Sequence, residues 1–529
     1  MTAALATAMC LVFALVAVAQ AATPVAAFTR TGASHFNSAP SLAPPKLKKV
    51  KRGKGNLAPG YFLIANFKNF GIMHTNGTPV PMVGQSGPIM YDKHLNPVWV
   101  HGVATNRFAN NFREQSYNGK PALSWWEGTL TNTGEPTSGE DFVVNQSYKI
   151  VAKLKGADGW TLSFHEFEIT GGHLAWVTAY KEVPRDLSSL GGSKNGKVLD
   201  VAVQEYDLNG GKLLYSWDAL DHIQLSESKL AIPSNASTPW DAYHLNDVQP
   251  LPNGQFLASF RNEWAAYLVD ETSNNVVWTL GGKHSTFTFG NGASFSWQHD
   301  VEWSQKNGTV SLFDNACCGL TSAGKGIPPS GPSRGLVLKL DTTAHMATVV
   351  NQYSLGSKLE AGTQGNTQPL PNGNVLVGFG TQPYFAEFSK TGGVLLQAQL
   401  PSPDVTYRAF VGRWTGKPTS NPGGAVKTSG SKTTVYASWN GATNVFSWRV
   451  FAGSDAKHLK LVASKGHTGF ETSIPLKSSY GAYQVVALGN KKQTLKRSKV
   501  FGASKSKSKT PSSGGKGGGG TTGGGGGFY

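Results

Sequence analysis

Two stretches of this chain, LPNGQFLASF at 251–260 and LPNGNVLVGFG at 370–380, repeat one unit: a Leu-Pro-Asn-Gly turn followed by a short apolar run. Looser copies occur as ITGGHLAWVTAY from Ile169 and QKNGTVSLFD from Gln305. A second unit, strand then polar turn then strand, recurs as VQEYDLNGGKLLYSW from Val203, YLVDETSNNVVWTL from Tyr267, LKLDTTAHMATVVNQYS from Leu338 and FAEFSKTGGVLLQAQ from Phe385. Short alternating apolar runs cut by Asn-Gly and Gly-Gly read as antiparallel strands joined by tight turns. The two units in fixed order make a four-stranded blade, and their spacing of about 40 to 60 residues is that of a propeller with loop insertions. A sandwich built from the same strands does not explain the fixed order. Blade openings near Tyr61, Phe108, Thr161, Tyr243, His299 and Asn366 predict an all-β, six-bladed β-propeller over residues 57–415.

A chain of 529 residues is too long for one ordinary core, which fits a large repeat-built domain with appendages. Residues 1–21 are apolar and end in Ala19-Gln20-Ala21, so they read as a secretory signal peptide and place the mature protein outside the cytoplasm, secreted or at the cell surface. No Lys or Arg precedes the apolar run, which leaves a retained N-terminal anchor as the alternative. Residues 22–56, rich in Ala, Pro, Ser and Lys without periodicity, read as a disordered basic leader. Residues 416–431 read as a linker and 502–529 as a Gly, Ser and Lys tail without fixed structure. Between them, 432–501 holds a second strand set that resembles a fibronectin type III-like β-sandwich, with Trp439 after an early strand and Tyr483 opening a late one. Such modules bind or space and rarely catalyse.

The formal net charge of +17 suggests polyanion partners until its placement is considered. Six Lys and Arg residues at 46–54 and nine at 491–516, with no acid among them, supply fifteen of the seventeen excess charges. The body between is near neutral, so nucleic acid is not expected as a partner. The basic tails offer association with an anionic cell surface. Once the signal is removed only Cys317 and Cys318 remain, adjacent in DNACCGL, either as a vicinal disulfide or as small buried residues.

Inner-strand residues at one end of a propeller channel face one another however distant they are in sequence. His165 in SFHEFEI, His244 in YHLND, His299 in WQHDVEW and Asn366 in QGNTQPL all fall at blade openings and are expected at one channel mouth. His244 and Asn246 lie two apart on a strand and share a face. Three imidazoles with Arg261 and Asn246 allow attack by a neutral histidine on an anionic group, with the guanidinium and amide holding the negative charge. They equally allow a Zn²⁺ or Cu²⁺ site with Asp247 or Asp300 behind it. A guanidinium beside a dication is unfavourable, so Arg261 favours the anion site, and neither metal nor cofactor is expected. Trp297, Trp264 and Phe295 are near enough in sequence to stack on an aromatic ligand, although core packing is the commoner fate of such residues.

HLND, SFRNEWAAYLVD, WTLGG and QHD, spread over about 164–414, resemble the signature of the aryl sulfate sulfotransferase family. The resemblance implies a six-bladed propeller that moves a sulfuryl group from an aryl sulfate to a phenol through a sulfohistidine, without a nucleotide donor. It implies His299 as the residue that carries the sulfuryl group, and His244, Asn246 and Arg261 as the cradle of its oxygens. His165 is implied near the phenol oxygen, and Thr367 or Thr363 as the counterpart of a family threonine. The C-terminal module and tails depart from that pattern. A non-catalytic extracellular propeller that binds an anionic or sulfated ligand through the same residues is the alternative.

Overall fold

A computed structural model describes residues 28–69, 74–75, 78–79, 81–104, 106–131, 135–317, 319–320, 326–327 and 331–502. The protein is mostly β. Among the described residues between 48 and 412 the strands form six sheets of four or five strands each, besides two short two-stranded ribbons. Apart from the outer strands Lys48–Arg52 and Thr288–Phe289, the six sheets open in chain order with Tyr61–Lys68, Phe108–Tyr117, Thr161–Thr170, Leu245–Leu251, His299–Ser304 and Asn366–Pro369. Neighbouring strands are antiparallel, apart from the short Thr288–Phe289 strand. At the shared turns Gly254 and Gly373 adopt φ of 70° and 85°. A side chain disfavours that left-handed backbone, which is why the two Asn-Gly turns punctuate the repeats.

Six hydrophobic cores lie between successive sheets. Phe256, Val248 and Val203 pack the third sheet on the fourth, Leu257, Val301 and Leu336 the fourth on the fifth, and Phe313, Val377 and Phe388 the fifth on the sixth. Ile64, Leu376 and Phe385 join the sixth to the first, Leu63, Trp99 and Trp125 the first to the second, and Trp126, Leu162 and Val177 the second to the third. Each sheet therefore buries both faces against its neighbours, and the series closes on itself.

Closure is made by the segments that flank the six sheets. VTYRAFVGRW, which in sequence interrupts the strand pattern, supplies the strand Asp404–Gly412, paired with Tyr61–Lys68 in the first sheet. The leader also departs from the expectation of disorder: Lys48–Arg52 pairs with Val394–Gln399 as the edge of the sixth sheet, and Ala43 is fully buried. A Lys-rich edge strand carries its charges in solvent and discourages further strand addition, so composition alone misread it. Residues 1–27 and 503–529, which hold the expected signal and tail, lie outside the described residues. No helix among the described residues is long and apolar enough to cross a membrane.

Beyond 412 lie a three-stranded sheet, in which Lys432–Ser438 pairs with Gly423–Ser429 and Glu471–Leu476, and a four-stranded sheet from Ser447 to Arg497. Gly423–Ser429 falls inside the stretch expected to be linker. Trp448, Val450, Val485 and Ile474 form the core between these sheets. This unit is fastened to the first: Asn440 exchanges two hydrogen bonds with the backbone of Val100, and Tyr148 donates to the Gly441 carbonyl. Cys317 is buried and disulfide-bonded, with its partner outside the described residues.

Candidate active site

The Pro-Asn-Gly hairpin makes neighbours of His244 and Arg261. Leu245 pairs with Phe260, so the residues just outside that pair meet, and the Arg261 N–H donates to the His244 carbonyl at 3.0 Å. Asp241 fixes this corner. It accepts from the His244 backbone N–H at 3.1 Å, contacts His244 Nδ1 through its other oxygen at 2.5 Å, and receives the Asn262 amide on its carbonyl. Nδ1 is thereby occupied and Nε2 is left for other work. The His244 side chain is 19% exposed, more open than the other two histidines.

His165 arrives from the third sheet. Its ring lies 5.0 Å from that of His244, is sandwiched by Phe164 and Tyr180, and bonds Ser163 Oγ through Nδ1. Burial, followed by the nearby His244 and His299, holds its pKa well below the usual value.

His299, the first residue of its strand, is fully buried. Asn315 donates both amide hydrogens, to the carbonyls of Ala361 and Gln364, which turns its oxygen toward His299 Nδ1 at 2.7 Å. The Trp297 carbonyl also faces Nδ1, at 3.1 Å. Two acceptors at Nδ1 place the proton there. Nε2 then holds a lone pair, which accepts the Gln364 backbone N–H at 3.0 Å. Burial and the Arg261 charge lower the His299 pKa well below the usual value, only partly offset by the Asn315 bond, so the ring is neutral.

Arg261 stacks 4.8 Å over the Trp297 ring and donates to Asn262 Oδ1 and the Gly362 carbonyl. Its Nε has no partner among the described residues. Burial lowers its pKa to about 10, which leaves it charged at neutral pH. A charged donor with an unused hydrogen beside three imidazoles is an arrangement for holding an anion. Trp297 is buried beneath Arg261 and Phe295 packs in a core, while Trp264, half-exposed and edge-on to Trp297, is the aromatic most open to a ligand.

The expected site is thus partly brought together. His165, His244, His299 and Arg261 converge. Asn246 is fully buried and donates to the Gln298 carbonyl, so it bridges two sheets next to His299 instead of facing the mouth. Asn366 is used up by its two bonds to the Ala409 backbone. Thr367 gives its hydroxyl to the Leu312 carbonyl and its N–H to Asp300, and lines a polar cavity of about 560 Å³ whose wall includes none of the histidines. Thr363 is half-buried on the loop that Arg261 and Asn315 tie down.

Between the mouth and that cavity lies Arg408, fully buried, which sequence reading passed over. Its guanidinium meets Glu166, Asp247 at 2.9 Å and Asp300 at 3.3 Å. Burial opposes its charge, but the acids override burial and raise its pKa. Glu166, despite burial, is drawn down to about 2 by Arg408 and Arg113, whereas burial pushes Asp247 well above the usual range. Tyr407 packs its ring against both His165 and His299, at 5.6 and 6.3 Å. A charged Arg beside Tyr in an otherwise apolar strand was the available signal for both. Asp241, Asn315 and Gln364 gave weaker ones.

Solved structures of low identity resemble parts of the chain. A protein of unknown function from Bacteroides caccae is 9% identical, with TM-score 0.39, over 66% of this chain and 98% of that one. A luciferin-regenerating enzyme is 12% identical, TM-score 0.32, over 62% and 83%. The β-propeller domain of Myceliophteria thermophila Cps50 (Swd1) is 8% identical, TM-score 0.28, over 63% and 97%. No curated protein matches the chain. The family model for arylsulfotransferase (ASST) matches residues 119–400, more than half of the chain and a span that holds all three histidines and Arg261. The chain belongs to the arylsulfotransferase (ASST) family and is an aryl-sulfate sulfotransferase enzyme.

Proposed function

We propose that the protein transfers a sulfuryl group from an aryl sulfate to a phenolic acceptor through a sulfohistidine on His299, with no nucleotide donor and no cofactor. The observation that carries this reading is the state of the His299 ring: Nδ1 faces two acceptors and Nε2 keeps its lone pair in a neutral imidazole. In the first half, Nε2 attacks sulfur, the sulfur to aryl-oxygen bond breaks, and the leaving phenolate takes a proton from His244, with neutral His165 beside it. In the second half, the acceptor phenol returns a proton to His244, its oxygen attacks sulfur, and the nitrogen to sulfur bond breaks. Arg261 neutralises the sulfuryl oxygens in both halves. Asp241 holds the tautomer of His244, and Asn246 positions His299 through Gln298.

Attack requires the Gln364 N–H to leave Nε2. Gln364 sits at φ 70°, followed by Gly365 at 107°, so this amide belongs to a backbone segment held in a sparsely populated conformation. Turned toward the incoming group, the same N–H becomes a donor to a sulfuryl oxygen. The burial of His299 and the occupied lone pair also favour a second reading, a propeller that binds a sulfated or other anionic ligand at Arg261 and His244 without forming the covalent adduct. We read the six sheets as the six blades of a propeller, on the strength of the closed series of cores, and the last two sheets as a fibronectin type III-like sandwich. Export is read from the apolar N-terminus, and the disulfide at Cys317 accords with an oxidising compartment.

Intact mass after brief mixing with an aryl sulfate and no acceptor tests the proposal. The expected result is a gain of one sulfuryl group that is lost on adding a phenol and is absent from His299→Ala. Retention of the ligand with no mass gain across several donors supports the binding reading instead.

A further inference from the structure

The channel below Arg408 holds more acid than its arginines balance. Glu166, Glu168, Asp247, Asp300 and Glu302 are five carboxyl groups that act on one another, and Arg113 and Arg408 are the two guanidiniums among them, so three of the acids have no guanidinium of their own; burial pushes Asp247 and Glu302 well above the usual range, so that protons take up the excess where no cation does. The guanidiniums are already allotted. Arg113 bonds Glu166 at 2.7 Å, and Arg408 takes Glu166, one oxygen of Asp247 and one of Asp300. The remaining oxygen of Asp300 accepts the Thr367 N–H.

What is left points one way. Asp247 is fully buried, and no amide, hydroxyl or guanidinium among the described residues donates to its Oδ2; the group it meets there is the Glu166 carboxylate, which raises its pKa further. Oxygens of Glu166, Asp247 and Glu302 all lie within 4.8 Å of one another. A shared Ca²⁺, with oxygens about 2.3–2.6 Å away, sets its ligands no farther apart than roughly 5 Å. Glu302 lines the polar cavity of about 560 Å³, which gives an ion a route and space for water ligands. Glu168 presents another buried oxygen without a donor nearby.

We propose that this end of the channel is a divalent-cation site of the calcium type, ligated by Asp247 Oδ2 and the Glu302 carboxylate with Glu166 beside them, and completed by water from the cavity. The oxygen-only donor set selects a hard cation, Ca²⁺ or Mg²⁺, over zinc or copper. Its place is structural: the ion ties inner strands of the third, fourth and fifth sheets below the histidines, and binding does not depend on sulfuryl transfer.

The full mature chain, stripped with EDTA, is titrated with Ca²⁺ and separately with Mg²⁺, with calorimetric binding and thermal unfolding as readouts. The expected result is saturable binding of one ion and a rise in Tm of about 2–4 °C at saturation. Glu302→Gln, a neutral isostere of a residue that holds no arginine, is expected to keep its EDTA-state Tm within a degree or two of the parent and to lose at least tenfold in affinity. Glu114→Gln, on the same cavity wall but outside the cluster, is expected to bind like the parent. No binding and no Tm shift up to millimolar Ca²⁺ or Mg²⁺ overturns the proposal, as does unchanged affinity in Glu302→Gln. A transferase that fails the mass test but binds Ca²⁺ leaves the site standing, so the two readings fail separately.

Discussion

His299 is neutral because it is buried and lies near Arg261, and that has a consequence for stability. In the unfolded chain the ring takes a proton near pH 6.5, while in the folded protein its pKa lies well below. Over the interval between, the unfolded state binds more protons, so stability falls as pH drops through about 6.5 and is fully present above it. His165 acts in the same sense. Buried acids with raised values act in the opposite sense: Glu263, pushed up to about 8 by burial, and Glu168, at about 7, cost stability as pH rises from about 4.5. Subtracting a His299→Gln curve isolates one group. Urea unfolding from pH 7 to 5 is expected to show the parent losing stability relative to His299→Gln, by up to about 1.4 kcal/mol per pH unit. Parallel curves contradict a buried neutral imidazole.

Single strands fix their neighbours through amide side chains. Gln368 on the first strand of the sixth sheet accepts the Val411 N–H at 2.8 Å and donates to the Val411 carbonyl. Gln249 treats Trp303 in the same way, and Gln115 clasps Phe167 and Ile169. Each inner strand thereby satisfies backbone groups of the next, which no ladder partner reaches on the channel side. The clasp is legible in retrospect, because both Gln249 and Gln368 stand in the same Gln-Pro-Leu-Pro-Asn-Gly run. Gln368→Leu keeps the volume but leaves the Val411 N–H and carbonyl without partners. A loss of about 1–3 kcal/mol in urea unfolding is expected, against less than about 0.5 kcal/mol for exposed Gln305→Leu.

Arg408 acts at the scale of the whole molecule. It rides on the strand that closes the first sheet and reaches Glu166 of the third, Asp247 of the fourth and Asp300 of the fifth. Losing it strands three buried carboxylates at once. Arg408→Met is expected to cost about 3–5 kcal/mol at pH 7.5 and visibly less near pH 5, where the acids take protons in its place. A penalty that does not shrink with acid assigns Arg408 to packing alone. Backbone pairing also holds the two flanks of the six-sheet unit: Asp404–Gly412 joins the first sheet and Lys48–Arg52 the sixth, so a basic segment that composition marks as solvated is fixed in place.

Sequence alone determined the strand character, the repeating turn units, the openings at Tyr61, Phe108, Thr161, His299 and Asn366, and the nearness of His244 to Arg261, because these are local. Alternation, Asn-Gly turns and hairpin symmetry act over fewer than twenty residues. The candidate histidines were legible for the same reason, since His299 opens a strand, His244 precedes one and His165 lies in the first strand of its sheet. Tertiary structure alone decided which polar residues face the mouth and which are consumed between sheets. Asn246, Asn366 and Thr367 carry the right chemistry, yet their donors go to Gln298, Ala409 and Leu312, partners 43 to 55 positions away in sequence. The role of Arg408 was hidden in the opposite way: a buried charge is tolerable only where distant acids neutralise it, and those acids are assembled by closure of the sheets and not by any local pattern.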